Sequence, residues 1–146
     1  MMAPPLRHRP LNGLYELIDL PRIPDRRGTL TFIEGGRHVP FDIARVYYLY
    51  DVPASATRAG HAHHRLMQLL IATSGSFDVN LDNGVEKAIL HLDRPDRGLL
   101  LQPMVWRTID NFSGGAMCLV LASIPYDETD YIRDYDEFCR LSREDT

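Results

Sequence analysis

The sequence is poor in cysteine and lysine and has no long apolar run. Its two cysteines, Cys118 and Cys139, have a spacing that resembles neither a zinc knuckle nor a disulfide framework. Lys87 is the lone lysine, and a net charge of −4 predicts no basic face for nucleic acid. No run approaches the roughly 20 apolar residues of a membrane span, and the start, MMAPPLRHRP, lacks the apolar stretch of a secretion signal. We therefore expect a cytoplasmic protein with reduced cysteines that binds neither nucleic acid nor membrane.

The composition is that of an ordinary globular domain. Hydrophobic residues make up 45% and charged residues 25% of the 146 positions, which suits one domain with one core. We place an N-terminal leader and first strand region at 1–24 and a single domain at 25–146. Because the net charge repels anions, an anionic ligand would need a local cluster of arginines.

Short runs rich in Val, Ile, Leu, Tyr and Phe predict strands at 30–34, 45–52, 68–75, 76–82 and 116–123. Turn signals separate them at roughly the 8 to 12 residue spacing of an all-β sandwich or barrel. The clearest hairpin is SFDVNLDNGVEKAILHL, in which Asn83 and Gly84 supply the positive φ angles of a tight turn. Helix is predicted only in DETDYIRDYDEFCRLSRED, where Tyr131, Tyr135 and Phe138 fall at i, i+4 and i+7. The pattern indicates an all-β fold with a short C-terminal helix.

Three of the six histidines lie within RAGHAHHRLMQ, at 58–68. In a strand, His61 and His63 project from one face while their neighbours point away. The alternative to a functional site is that the two histidines share a face by chance, either at the surface or as a hydrogen-bonded pair in the core. Followed by Gln68 and Gly75, the pair reproduces the spacing of the first cupin motif, whose side chains line the inside of a small β-barrel.

The residues that complete a metal-binding cupin are missing. Gln68, or Met67 under the alternative spacing, stands where such cupins have glutamate, and the second motif, at 98–111, has Arg107 and Thr108 where the third histidine would fall. Arginine cannot donate a lone pair, and catalytic metals usually have at least three protein ligands. We therefore expect no metal and no other cofactor, and histidines that transfer protons.

Beyond the histidine pair, the chain resembles the cupin-fold dTDP-4-keto-6-deoxyglucose 3,4-ketoisomerases, which are related to the WxcM-like proteins. The segments that carry the resemblance are RRGTLTFIE, VPFDIARVYYLYDVP, RAGHAHHRLMQ, GSFDVNLDNG, PMVWRTIDNFS and VLASIPYDETDYIRDYDEF. The resemblance implies an antiparallel jelly-roll (cupin) β-barrel and a homodimer, often with exchanged N-terminal strands. It also implies an isomerase of deoxysugar biosynthesis. That enzyme moves the keto group of a dTDP-linked 4-keto-6-deoxyhexose from carbon 4 to carbon 3 through an enediol.

The resemblance also implies roles for individual residues. His61 and His63 would be the acid–base pair, with the choice of base left open, and Tyr47 would pass a proton between the two sugar oxygens unless it only fills the barrel. Tyr47 shares a strand face with Arg45. The implied substrate-binding residues are Arg27, Arg45, Arg58, Gln68, Arg107, Tyr131 and Arg133. The diphosphate needs cations, and we expect at least two of the arginines at 27, 45, 58 and 107 to contact the ligand. Residues 131 and 133 either close over the nucleotide, support the mouth of the barrel or pack as helix.

Three other functions remain open at this point. A cupin 3,5-epimerase would act on the same substrate but exchange hydrogen at carbons 3 and 5. A non-catalytic cupin would bind the sugar nucleotide without turnover. A metal-dependent oxygenase would hold stoichiometric iron or manganese.

Overall fold

The computed structural model describes residues 6–8 and 13–144. Within these residues the chain forms mostly strands, with a single-turn 3-10 helix at Glu128–Asp130 before the last strand and one α-helix at the end. The elements are β1 (Leu6–His8), β2 (Glu16–Asp19), β3 (Arg22–Asp25), β4 (Gly28–Thr31), β5 (Arg45–Leu49), β6 (Arg58–His63), β7 (Gln68–Ser74), β8 (Phe77–Asp82), β9 (Lys87–Leu92), β10 (Arg97–Leu101), β11 (Trp106–Asp110), β12 (Met117–Ala122), β13 (Tyr131–Ile132) and α1 (Tyr135–Glu144).

The strands form two antiparallel sheets that share one core. One sheet has the order β1-β2-β10-β7-β12-β5, the other has the order β13-β6-β11-β8-β9, and β3 and β4 form a separate hairpin. The prediction of an all-β antiparallel jelly-roll with a short C-terminal helix is confirmed. The predicted closure into a barrel is wrong for the described residues, because no strand of one sheet pairs with a strand of the other. The two sheets instead bury their inner faces against each other, as in a double-sheet jelly roll.

The hairpin of β8 and β9 shows how alternation builds this core. Phe77, Val79 and Leu81 are buried and alternate with less buried polar residues, as period-2 patterning requires. The turn is wider than predicted: β8 ends opposite the start of β9, and residues 83–86 form a four-residue loop. Gly84 has a φ of +93°, but the Asn83 side chain closes the loop differently from a tight turn, since it accepts the backbone N–H groups of residues 85 and 86.

The C-terminal segment differs from the predicted single helix. Tyr131 lies in β13, where it pairs with His63 of β6, and α1 begins only at Tyr135. Asp134 caps that helix, because its Oδ1 atom accepts the backbone N–H of residue 136 at 2.8 Å. The helical prediction for Tyr131 is therefore wrong, because pairing with β6 replaced helical hydrogen bonds in that stretch. Phe138 of α1 is buried against β6 and β13.

The N-terminal region contributes residues to the core. β2 lies between β1 and β10, and Leu14, Ile18 and Leu20 are buried. β3 runs across the boundary predicted between residues 24 and 25. Residues 1–5 and 9–12 of the predicted leader lie outside the described residues. No described helix is long and apolar enough to span a bilayer.

Candidate active site

A cavity of about 480 Å³ opens between the inner faces of the two sheets. This volume lies within the range of roughly 300 to 1,000 Å³ that is typical of small-molecule sites. Eight of the ten predicted site residues line it, namely Arg45, Tyr47, Arg58, His61, Gln68, Arg107, Tyr131 and Arg133. His63 lies behind His61, and Arg27 does not line the cavity. The strand-face prediction for Arg45 and Tyr47 is confirmed, since both side chains face the cavity.

A β-bulge in β6 sets the direction of His61. Arg107 of β11 pairs with His61 and the next residue of β11 pairs with Ala59, so that Gly60 is an extra residue on β6. Ala59 has a φ of +67° and Gly60 a φ of +86°, both in the left-handed region. Bulges of this kind re-aim side chains next to functional sites. Here the bulge immediately precedes the histidine that faces the cavity.

The two histidines lie in contact on the same side of β6, as predicted. Their ring centroids are 4.8 Å apart at an interplanar angle of 80°. His63 is fully buried, and its Nδ1 atom lies 3.2 Å from Oδ2 of Asp130. Asp130 also accepts the backbone N–H groups of residues 65 and 66, at 2.8 and 3.2 Å. Because a carboxylate only accepts, Nδ1 of His63 carries the proton, and Nε2 keeps a free lone pair.

Asp130 was missed at the sequence level. The acids of DETDY were assigned to the first turn of a helix, and no local signal links residue 130 to a histidine 67 positions earlier. The pairing of β13 with β6 makes that link. It also places the ring of Tyr131 4.4 Å from the His63 ring and 5.0 Å from the His61 ring, between centroids.

Arg107 places a buried positive charge at the inner end of the cavity. Its side chain is 1% exposed, and two of its nitrogens donate to the carbonyl of Val105 at 2.8 and 3.2 Å. A third nitrogen, Nη1, donates to Oε1 of Gln68 at 2.5 Å. No carboxylate of the described chain forms an ion pair with it. Burial lowers the pKa of Arg107 to about 10, so it remains a cation at neutral pH.

This environment keeps both histidines neutral. Burial, followed by the positive charge of Arg107, lowers the pKa of His61 to about 3 and that of His63 to about 2. Burial also raises the pKa of Tyr47, so its hydroxyl stays protonated. At neutral pH the cavity therefore holds an unprotonated imidazole beside a phenol and a guanidinium. An anionic ligand would raise the histidine pKa values by offsetting the charge of Arg107.

The other arginines differ in their positions. The Arg45 guanidinium carbon lies 5.3 Å from the ring centre of Tyr47 and 5.5 Å from that of Tyr126, and Arg133 is paired with Glu128 at 2.6 Å. Nε and Nη2 of Arg45 are buried and make no hydrogen bond within residues 13–144. Arg58 is exposed at the rim. Arg27 lies in the turn of the β3–β4 hairpin, where its side chain is 90% exposed and paired with Asp25.

The side chains of this cavity are poor in metal ligands. Across the described part of the chain, no three residues among His, Cys, Asp and Glu are grouped so as to hold a metal ion. Both histidine rings contact the Tyr131 ring, and His63 contacts the Asp130 carboxylate, which already accepts three N–H groups. The absence of a cofactor stays a prediction.

Comparison with known proteins gives the family. The profile of the WxcM-like, C-terminal family (FdtA) matches residues 14–143. The TDP-4-oxo-6-deoxy-alpha-D-glucose-3,4-oxoisomerase of Aneurinibacillus thermoaerophilus is 44% identical over 123 residues, which are 84% of this chain and 88% of the relative. Two sugar epimerases of Streptomyces species match at 15% and 16% identity, which shows a shared fold alone.

Solved structures of similar proteins agree with this result. A histidine-to-asparagine mutant of the 3,4-ketoisomerase QdtA from Thermoanaerobacterium thermosaccharolyticum, in complex with TDP-4-keto-6-deoxyglucose, is 43% identical and covers 90% of this chain and 95% of its own, with a TM-score of 0.88. The TDP-quinovose 3,4-ketoisomerase WlaRB of Campylobacter jejuni is 46% identical and covers 86% and 97%, with a TM-score of 0.83. The family prediction is confirmed: this chain belongs to the FdtA, WxcM-like family of sugar 3,4-ketoisomerases.

Proposed function

We propose that this protein isomerises a TDP-linked 4-keto-6-deoxyhexose to the 3-keto sugar. The observation that carries the proposal is the neutral His61 imidazole, which faces a cavity shared with the Tyr47 phenol and the buried Arg107 cation. Removal of a proton next to a ketone needs a base that is unprotonated at neutral pH and a site that stabilises negative charge on oxygen. The substrate class is that of the 3,4-ketoisomerases to which the chain is similar.

The reaction moves one proton from carbon 3 to carbon 4 and one between the two sugar oxygens, and these side chains can transfer both. His61 removes the proton from carbon 3, and the electron pair forms the carbon 3–carbon 4 double bond while the carbon 4 oxygen becomes an enolate or enol. Tyr47 donates its proton to that oxygen and takes the proton of the carbon 3 hydroxyl. The imidazolium then returns a proton to carbon 4, which leaves the ketone at carbon 3. His63 lies behind His61 as a relay or second acid–base group.

The arginines supply the charge for the diphosphate. Two buried guanidinium nitrogens of Arg45 have no hydrogen-bond partner among the described residues, and Arg58 lies at the rim of the same cavity. Bidentate guanidinium contacts suit phosphate oxygens. Arg133 is already paired with Glu128 and lies 4.3 Å from the Tyr131 ring centre, so it forms a wall of the cavity together with that tyrosine.

The test is to follow both the carbonyl and the hydrogens of the sugar. Chelator-treated protein is incubated with dTDP-4-keto-6-deoxyglucose in heavy water, and carbon and proton NMR spectra are recorded. We expect the carbonyl signal to move from carbon 4 to carbon 3, with deuterium entering at those two carbons. Exchange at carbons 3 and 5 without movement of the carbonyl would indicate the epimerase instead. Tight binding without any change in the sugar would indicate the non-catalytic cupin.

We further propose that the active form is a homodimer with exchanged N-terminal strands. The β3–β4 hairpin supports this, because it pairs with no other described strand and is exposed along nearly its whole length. Its apolar residues Ile23 and Leu30 are 44% and 56% exposed. A hairpin with exposed apolar side chains is marginal alone and gains stability by packing on another surface. In such a dimer, Arg27 at the hairpin turn would reach the partner's cavity.

Mixed dimers test this arrangement. We expect the Arg27→Ala and His61→Asn proteins to be impaired separately but to regain activity after unfolding and refolding together. At equal amounts about a quarter of the sites would be intact, because half of the dimers are mixed and each holds one unaltered site. Activity no higher than the mean of the two separate proteins would contradict the exchange. Wild-type activity of the Arg27→Ala protein would contradict the predicted role of Arg27.

A further inference from the structure

Three cavity residues form a hydrogen-bonded chain that runs from the buried cation to the phenol. Nη1 of Arg107 donates to Oε1 of Gln68 at 2.5 Å, and Nε2 of Gln68 donates to the hydroxyl oxygen of Tyr47 at 2.9 Å. Gln68 is 2% exposed, and it begins β7, which lies in the same sheet as β5 of Tyr47, whereas β11 of Arg107 lies in the other sheet. Both ends of its amide are therefore engaged within the protein, although the residue borders the cavity.

The direction of every hydrogen bond in this chain follows from Arg107. A guanidinium has only donors, so the Gln68 oxygen must face it, because the opposite amide orientation would set N–H against N–H. The Gln68 amide nitrogen must then face Tyr47. Since that nitrogen has no lone pair to offer, the tyrosine oxygen can only accept from it. The Tyr47 hydrogen cannot lie between the two residues.

This leaves the Tyr47 proton free for the cavity. Among the described residues, Tyr47 makes no hydrogen bond besides the one from Gln68. Its ring lies in the cavity wall, partly buried against the core. A hydroxyl that already accepts one hydrogen bond is a better donor, because neighbouring hydrogen bonds polarise one another. The same amide N–H would remain in place to stabilise the phenolate when the proton leaves.

We propose that Gln68 is a positioning residue that holds Tyr47 as a hydrogen-bond donor toward the sugar keto oxygen and transmits this orientation from Arg107. The inference deepens the proposed isomerase function and rests on it. It replaces direct substrate contact, the role predicted for Gln68 from the sequence, with an action through Tyr47. Arg107 thus has two roles. Its charge lowers the pKa values of the two histidines, and its N–H donors set the direction of the hydrogen bonds through Gln68 to Tyr47.

The variant Gln68→Glu reverses this order with almost no change in size. A carboxylate accepts from Arg107 and from the Tyr47 hydroxyl, so the phenol proton turns away from the cavity. We expect kcat to fall about 10- to 100-fold, a part of the ~10²- to 10⁴-fold that a positioned proton transfer supplies, with KM changed less than about threefold. The matched control is Gln102→Glu at an exposed position after β10, which should leave both constants unchanged. A loss confined to KM would contradict the proposal.

A double-mutant cycle separates positioning from general damage. If Gln68 acts through the phenol, Gln68→Glu should lower kcat less than about twofold in a Tyr47→Phe background, because the hydroxyl that Gln68 orients is absent there. If the fold losses in kcat of the two single variants multiply in the double variant, the proposal is overturned. Should the Gln68→Glu protein not fold, as judged by circular dichroism, Gln68→Met takes its place. It removes both hydrogen bonds without adding charge, and the same cycle applies.

A measurement without substrate keeps this inference distinct from the isomerase function. In ¹³C-tyrosine NMR of the free protein, assigned with Tyr47→Phe, the Gln68→Glu change should raise the pKa of Tyr47, because the phenolate loses its donor and gains a negative neighbour. An unchanged or lowered Tyr47 pKa would overturn the hydrogen-bond order whatever the substrate. If the wild-type protein makes no 3-keto sugar but Gln68→Glu still raises the Tyr47 pKa, the hydrogen-bond order stands, whereas the isomerase function and the catalytic role of the three residues are overturned.

Discussion

Replacement of His61 by asparagine should lower kcat for the 3-keto product by about 10²- to 10⁴-fold, the range that a positioned proton transfer supplies. Asparagine keeps a polar side chain of similar reach but cannot take a proton from carbon. Binding of the TDP-sugar should change little, because the arginines that face the cavity are untouched. Single-turnover NMR measures the rate, and isothermal titration with TDP measures binding.

The matched control is His64→Asn, on the exposed side of the same segment. It should keep wild-type turnover, since its imidazole lies outside the cavity. A His61→Asn protein with more than about a tenth of wild-type kcat would contradict its role as base, since even the low end of the expected range is ~10²-fold. In that case the neighbouring His63 becomes the candidate, and His63→Asn decides between the two.

Replacement of Asp130 by asparagine should destabilise the protein by about 1 to 3 kcal/mol, the cost of leaving a buried donor unpaired. Three N–H groups converge on the two oxygens of this buried carboxylate, from residues 65, 66 and His63. An amide has one oxygen, so its NH₂ group must face at least one of these donors. Urea unfolding at neutral pH measures the difference. The control is Asp127→Asn at the cap of the 3-10 turn, which should change stability far less because asparagine caps equally well.

The same substitution should also change the chemistry of the site. The amide NH₂ would donate to Nδ1 of His63, which moves the imidazole proton to Nε2 and removes the free lone pair there. We expect kcat to fall about tenfold or more at a temperature where the protein is fully folded, with KM nearly unchanged. Wild-type stability together with wild-type kcat would show that the Asp130–His63 contact is not maintained in solution.

The parts of the fold and site that could be predicted from sequence are those that depend on alternation along a strand. The strands at β5, β7, β8 and β12 were found within a few residues, because short apolar and aromatic runs between turn signals are typical of strands. The period of two along a strand placed His61 beside His63 and Arg45 beside Tyr47. The order of these motifs along the chain was enough to indicate the family, which comparison then confirmed.

The errors arise where distant segments meet. Tyr131, Tyr135 and Phe138 have helical spacing, yet pairing with β6 makes Tyr131 part of a strand, because backbone hydrogen bonds to a neighbouring strand outweigh weak local propensity. The turn at Asn83 is wider than predicted, because the Asn83 side chain accepts backbone N–H groups from residues 85 and 86. The role of Arg27 stays a prediction, because within one chain it lies on the exposed β3–β4 hairpin.

The sequence by itself therefore determined the all-β class and the histidine pair, since these follow from residue type and from spacing within single strands, and its resemblance to a known family indicated most of the arginines that line the cavity. Only the tertiary structure decided that Asp130 holds His63 and that Arg107 orders Gln68 and Tyr47. Those contacts join residues 21 to 67 positions apart. Hydrogen-bond direction and burial depend on which strands become neighbours, and the local sequence pattern does not indicate which distant strands these are.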